Sequence, residues 1–192
     1  MRWVRRATIA TTLIALAMLN SHGVLKAGED GDRERRVRSL RADLRGFEEP
    51  PSVSSTGSGE FRARVSFDQT MFEYELRFRD LEGDVTQSHI HIGQRGVNGG
   101  ISIWLCQTAT NPGPAGTPLC GGPRAGVVGG VVTAANVIGP AGQGVAAGEF
   151  AEVLRAIRAG VAYANVHSLR NPGGEIRGQI RVRDGDGDGD RD

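Results

Sequence analysis

The chain has 192 residues, with 23 Lys+Arg against 22 Asp+Glu and a formal charge of +1, enough for one domain or two very small ones. That near-neutral balance argues against a nucleic-acid-binding surface, and no apolar run is long enough to span a bilayer in the mature form. Glycine is abundant, at 29 residues, without a period of three, which favours a turn-rich β protein because glycine is costly inside helices.

Residues 1–27 read as a secretory signal peptide. Arg2, Arg5 and Arg6 precede an apolar stretch from Ala7 to Leu19, and small residues suit cleavage after Gly23 or after Ala27. The mature protein is therefore expected outside the cytosol, secreted or periplasmic, and there it carries 19 Arg, no Lys and 22 acids, a net charge of −3. Residues 28–36 are expected to be a flexible charged leader, and 37–183 a single domain.

Within that domain, period-two alternation dominates. Leu40, Ala42 and Leu44 alternate with charged residues. Phe61, Ala63, Val65 and Phe67 form one face of a strand, and Phe72, Tyr74, Leu76 and Phe78 one face of the next. A turn at Asp68-Gln69-Thr70 makes the two a hairpin in which Arg62 and Arg64 face Glu73 and Glu75. Further strands are predicted at Val85–Ile92, Ile101–Leu105, Val127–Thr133, Val161–His167 and Glu175–Val182. The expected core includes Phe61, Val65, Phe67, Tyr74, Leu76, Ile103, Val166 and Ile180. Phe150, Val153, Leu154 and Ile157 have helical spacing, with Gly160 as the stop. The fold class that follows is all-β: an antiparallel Greek-key β-sandwich or flattened barrel with one short helix.

Cys106 and Cys120 are the only cysteines. Outside the cytosol they are expected to form a disulfide around a Pro/Gly-rich loop, worth on the order of 3 kcal/mol by loop-closure entropy. Residues 184–192 are expected to be a disordered Asp/Gly tail. Asp184, Asp186 and Asp188 open a calcium-loop pattern, but the closing bidentate acid is missing, so the tail reads as a solubilising polyanion.

Two blocks carry a family resemblance. The first is Gly46-Phe47-Glu48-Glu49-Pro50-Pro51-Ser52-Val53, followed by Ser88-His89-Ile90-His91-Ile92-Gly93 with Asn98-Gly99-Gly100. The second is Ala162-Tyr163-Ala164-Asn165-Val166-His167-Ser168, followed by Asn171-Pro172-Gly173-Gly174-Glu175-Ile176-Arg177-Gly178-Gln179-Ile180. Together they resemble the chordin domain (CHRD) family, from about Val37 to Val182. The resemblance implies an extracellular all-β domain, found in animal chordin and in exported bacterial proteins. Chordin's growth-factor context does not carry over, because its Cys-rich modules have no counterpart here.

All three histidines of the mature chain lie in those blocks. His89 and His91 share one strand face, and Tyr163, Asn165 and His167 share another. With the Ile and Val side as core, the imidazoles are expected on outer faces of the sandwich. Three imidazoles are a set that copper or zinc would accept. A His-x-His plus a late-strand His also resembles part of the copper site of Cu/Zn superoxide dismutases, although the bridging His and the zinc ligands have no counterparts.

The alternative for these histidines is structural. His167 would cap the Asn171–Glu175 turn, and His89 and His91 would pair with Glu175 or Asp84; in the metal reading the same two acids are the candidates to orient a ring. The Asn-Pro-Gly-Gly turn, with Gly173 and Gly174 at positive φ, and the Arg177–Gln179 stretch read as structural. Two functions stay open: a binding or structural module without catalytic residues, serving an unidentified extracellular or periplasmic partner, and a Cu- or Zn-binding or redox protein using His89, His91 and His167.

Overall fold

The computed structural model describes residues 37–184. The expected signal peptide, the charged leader and nearly all of the acidic tail lie outside them. Nine strands form one sheet: β1 (Val37–Arg45), β2 (Ser58–Val65), β3 (Met71–Arg79), β4 (Val85–Ile92), β5 (Gly100–Cys106), β6 (Gly126–Thr133), β7 (Ala162–Ser168), β8 (Ile176–Gln179) and β9 (Arg181–Asp184). Their order is β5-β4-β7-β8-β1-β2-β3-β6, with β9 also paired to β1. The sheet curls until its ends meet. The Tyr74 hydroxyl on β3 donates to Leu105 O on β5, and Ile138 N, just after β6, donates to Ser102 O at 2.9 Å. The fold is thus the flattened, nearly closed barrel.

Alternation explains the core. Leu40, Ala42, Leu44, Phe61, Ala63, Val65, Phe72, Tyr74, Leu76 and Phe78 are all buried, as are Ile103, Val166 and Ile180. Among the described residues the one α-helix, α1 (Phe150–Arg158), buries Phe150, Val153, Leu154 and Ile157. Phe150 meets Phe72 with ring centroids 5.7 Å apart. Gly160, at φ +71°, ends the helix in the left-handed conformation that glycine adopts without a Cβ clash.

Two expectations need correction. Phe67 is 70 % exposed rather than buried, because β2 ends at Val65 and Ser66 N already bonds Met71 O at 2.9 Å to close the hairpin. Phe67 belongs to the turn, where the two-residue period has stopped. The predicted Glu175–Val182 strand is two strands: β8 pairs with β7, and after the buried Ile180 the chain pairs with β1 as β9. The hairpin register is as expected, with Arg62 opposite Glu75 and Arg64 opposite Glu73, but the Arg62 guanidinium pairs with Glu60 of its own strand at 2.7 Å.

Cys106 and Cys120 lie at disulfide distance, with Cα atoms 4.9 Å apart. The loop between them is organised by Gln107, whose side chain donates to Thr117 O and accepts from Gly113 N, each at 2.6 Å. Thiol titration of the denatured, unreduced protein should find no reactive thiol. Two would remove the bridge and weaken the case for export.

Candidate metal centre

Antiparallel pairing of β4 with β7 brings the two histidine blocks together. His89 lies opposite Asn165, His91 opposite Tyr163, and Gln87 opposite His167. Directly paired residues share a face, so His89, His91, Tyr163, Asn165 and His167 project together, away from the barrel core. β5 adds Trp104 opposite His89, and β8 adds Arg177 opposite Asn165. Ser88 ties the pair of strands from the other side, its hydroxyl donating to Asn165 O.

This outer face is not open to solvent, which corrects the expectation from alternation. His89 is 0 % exposed, His91 and His167 7 % each. Loops fold over the sheet and make a second, polar core. Arg177, also buried, donates to Gln94 O at 3.1 Å and Val97 O at 2.7 Å, and its guanidinium lies 3.3 Å from the Tyr163 ring centroid. It thereby clamps the loop between β4 and β5 over the histidines. On the other side, Gly113 of the disulfide loop rests on the Trp104 indole, where a Cβ would come within 2.5 Å of the ring. Trp104 in turn packs edge-on against His89, centroids 4.3 Å apart.

The Asn171–Gly174 turn closes the third side. Gly174 takes φ +132°, and a Cβ there would strike the Glu49 carboxylate at 2.4 Å. Gly173 does not have the positive φ expected of it. Glu49 is itself buried, and burial raises its pKa to about 7 against the opposing pull of Arg177.

One ligand-capable nitrogen of each histidine lies within 4.8 Å of the others. His91 Nδ1 bonds Gly99 O at 2.9 Å and His167 Nδ1 bonds Pro172 O at 2.8 Å. A carbonyl only accepts, so each Nδ1 carries the proton and each Nε2 is left as a bare electron pair. His89 Nδ1 lies 3.2 Å from His167 Nε2, within the roughly 3–4 Å that separates two nitrogens sharing an ion at about 2.0–2.1 Å.

His89 Nε2, His91 Nε2, Asn165 Oδ1 and Ser102 Oγ are buried without a hydrogen-bond partner. Buried polar atoms are nearly always paired, so such a cluster calls for an explanation. Burial holds the His89 pKa down to about 2 and that of His91 down to about 4, with neighbouring His167 adding to both shifts; burial lowers His167 as well. The three rings are thus neutral, the form that binds metal.

Glu175 and Asp84 do not orient the rings. Glu175 accepts from Ser55 Oγ at 2.7 Å, Glu82 N at 2.6 Å and Gly83 N at 3.3 Å, and also from Ser168 Oγ. Asp84 pairs with Arg124 at 3.1 Å near the surface. Backbone carbonyls orient two of the rings instead, and His167 does cap its turn, as the structural reading expects.

Sequence reasoning did not single out Trp104 or the part Asn165 plays here, although alternation already put Asn165 on the His167 face. A shallow hollow of about 600 Å³ on the outer face of β1–β3, lined by Arg41, Arg62, Arg64 and Glu73 among others, contains none of the histidines. Among the described residues no helix is long and apolar enough to cross a membrane.

A family model described as CHRD domain matches residues 40–180, most of the chain. Neither the curated proteins nor the solved structures include a significant match.

Proposed function

We propose a metal-holding role for this chain, which belongs to the CHRD domain family: an exported, single-domain module that keeps one copper or zinc ion on His89, His91 and His167. The observation that carries the reading is the shortage of protons at the histidine cluster. His91 and His167 spend their Nδ1 protons on Gly99 O and Pro172 O, so two electron pairs point inward. His89 has one proton for two nitrogens: on Nδ1 it would satisfy His167 and leave His89 Nε2 bare, and on Nε2 it would leave His89 Nδ1 and His167 Nε2 as two acceptors 3.2 Å apart.

A cation supplies what the protons do not. Three neutral imidazoles without a thiolate suit Cu or Zn. The carbonyl contacts to Nδ1 are the kind of outer partner that fixes ring orientation in histidine metal sites. The purely structural reading accounts for the His167 cap but leaves the unpartnered atoms of His89 and His91 unexplained.

Export is supported by the pattern of residues 1–27 and by the paired cysteines. The chemistry the ion would supply is that of a tightly held cation in a buried site. Chelator-stripped protein dialysed against Zn(II) or Cu(II) should take up about one ion per chain, as the single three-imidazole set allows. His91→Ala and His167→Ala, checked for folding by circular dichroism, should lose it. Uptake that persists unchanged in both variants would place the ion elsewhere and refute the reading.

A further inference from the structure

We infer that Asn165 Oδ1 is the fourth donor to the ion, so that the protein closes the coordination sphere by itself; this rests on the three-histidine reading above. Asn165 is 2 % exposed, and its side-chain oxygen has no hydrogen-bond partner. It lies directly opposite His89 in the β4–β7 register and shares the face of His167.

With the His91 proton on Nδ1 for Gly99 O, Asn165 Oδ1 and His91 Nε2 are two buried acceptors from the same sheet face, neither with a hydrogen-bond partner. Moving the proton to Nε2 would satisfy Asn165 but set bare Nδ1 against Gly99 O at 2.9 Å. Protonating both nitrogens would bury a cation beside Arg177, with no carboxylate among the ring's contacts. A metal ion accepted by both atoms supplies the partner that each lacks.

Three nitrogens and one oxygen make a four-coordinate set of the closed kind, in contrast to catalytic sites that keep a position for water or substrate. The site then holds its ion without offering it to an outside ligand. This fits the enclosure of the rings by Trp104, Arg177 and the two loops.

The test uses the full protein loaded with Co(II), whose visible absorption reports coordination number, with azide as the outside ligand. Wild type should give the intense bands of a four-coordinate ion, unchanged by azide. Asn165→Ala should bind Co(II) at least about tenfold more weakly, by comparison with the 10–100-fold cost of losing an outer-shell partner, and its spectrum should respond to azide. Asn165→Asp should keep a four-coordinate, azide-silent spectrum with shifted bands, and it carries the test if the alanine variant does not fold. An unchanged spectrum and affinity in the variants, or azide binding to wild type, would overturn the fourth donor while leaving the three histidines in place. Wild type that takes up no Co(II), Zn(II) or Cu(II) would overturn both readings.

Discussion

Glu175→Ala should destabilise the domain by at least about 2 kcal/mol, taking the low end of 1–3 kcal/mol for each of the two fully buried donors left unpaired, Gly83 N and Ser168 Oγ. Glu175 is 0 % exposed, and its carboxylate receives the Ser55 and Ser168 hydroxyls and the backbone N–H groups of Glu82 and Gly83. These donors come from two loops and the end of β7, so one side chain joins the 46–57 segment and the β3–β4 turn to the β7–β8 turn. Against a typical total of 5–15 kcal/mol such a loss is severe. Chemical denaturation at pH 7 measures it directly, and a change below about 1 kcal/mol, less than one orphaned donor costs, would mean that the carboxylate does not hold these loops together.

The pH dependence gives an independent check on Glu175. Burial would raise its pKa, but the four donated hydrogen bonds outweigh that and hold it below the usual carboxylate value of 4.5. A depressed folded-state pKa means that the unfolded chain binds the proton first. The stabilisation is present above about pH 4.5 and is lost as pH falls through the folded value. Glu175→Ala should therefore lose less stability than wild type over that acid range. Because Ser168 also receives Asn171 N, the variant should loosen the turn that carries Pro172 and weaken metal binding too.

Metal binding should raise the melting temperature by about 5–10 °C when free ion is present at 100 times its dissociation constant. That concentration adds about 2.7 kcal/mol, and each kcal/mol shifts a domain of this size by roughly 2–4 °C. The increment should vanish in His89→Ala and His167→Ala. The pH dependence of the stability has a definite sign. Unfolded histidines take up protons below about 6.5, whereas His91 resists until about 4 and His89 until about 2, chiefly through burial. Metal-free protein therefore loses stability as pH falls from about 6.5. The metal increment itself should hold over the same range, because the folded rings stay neutral there and protons do not displace the ion. A melting temperature indifferent to Zn(II) and Cu(II) at pH 7.5 would count directly against the site.

Much of the barrel is legible in the sequence because strand burial repeats every two residues. Phe61 to Val65 and Phe72 to Phe78 read off their faces, and the Phe150–Ile157 stripe reads off the helix. Where the period ends, legibility ends with it: Phe67 continues the pattern by one residue after the backbone has already turned. The break at Ile180 is invisible for a related reason, since both halves alternate and they differ only in that β8 lies between β7 and β1 whereas β9 pairs with β1 alone.

The histidine cluster divides in the same way. That His89 and His91 share a face follows from the pleat, and so does the common face of Asn165 and His167. Their burial does not follow, because it is produced by loops folded over the sheet. Arg177 clamping Gln94 and Val97, Glu49 packed on Gly174, and Gly113 resting on Trp104 all join residues far apart in the chain. The carbonyls that orient His91 and His167 are backbone atoms, which no side-chain pattern reports; this is why Glu175 and Asp84 seemed the natural partners.

X-ray absorption at the Zn or Cu edge of the loaded protein tests most directly whether these three rings share one ion. The spectrum should show imidazole scattering from three nitrogens at about 2.0–2.1 Å, and His89→Ala should reduce the imidazole count to two or abolish binding. A shell of sulfur, or of oxygen alone without imidazole scattering, would contradict it.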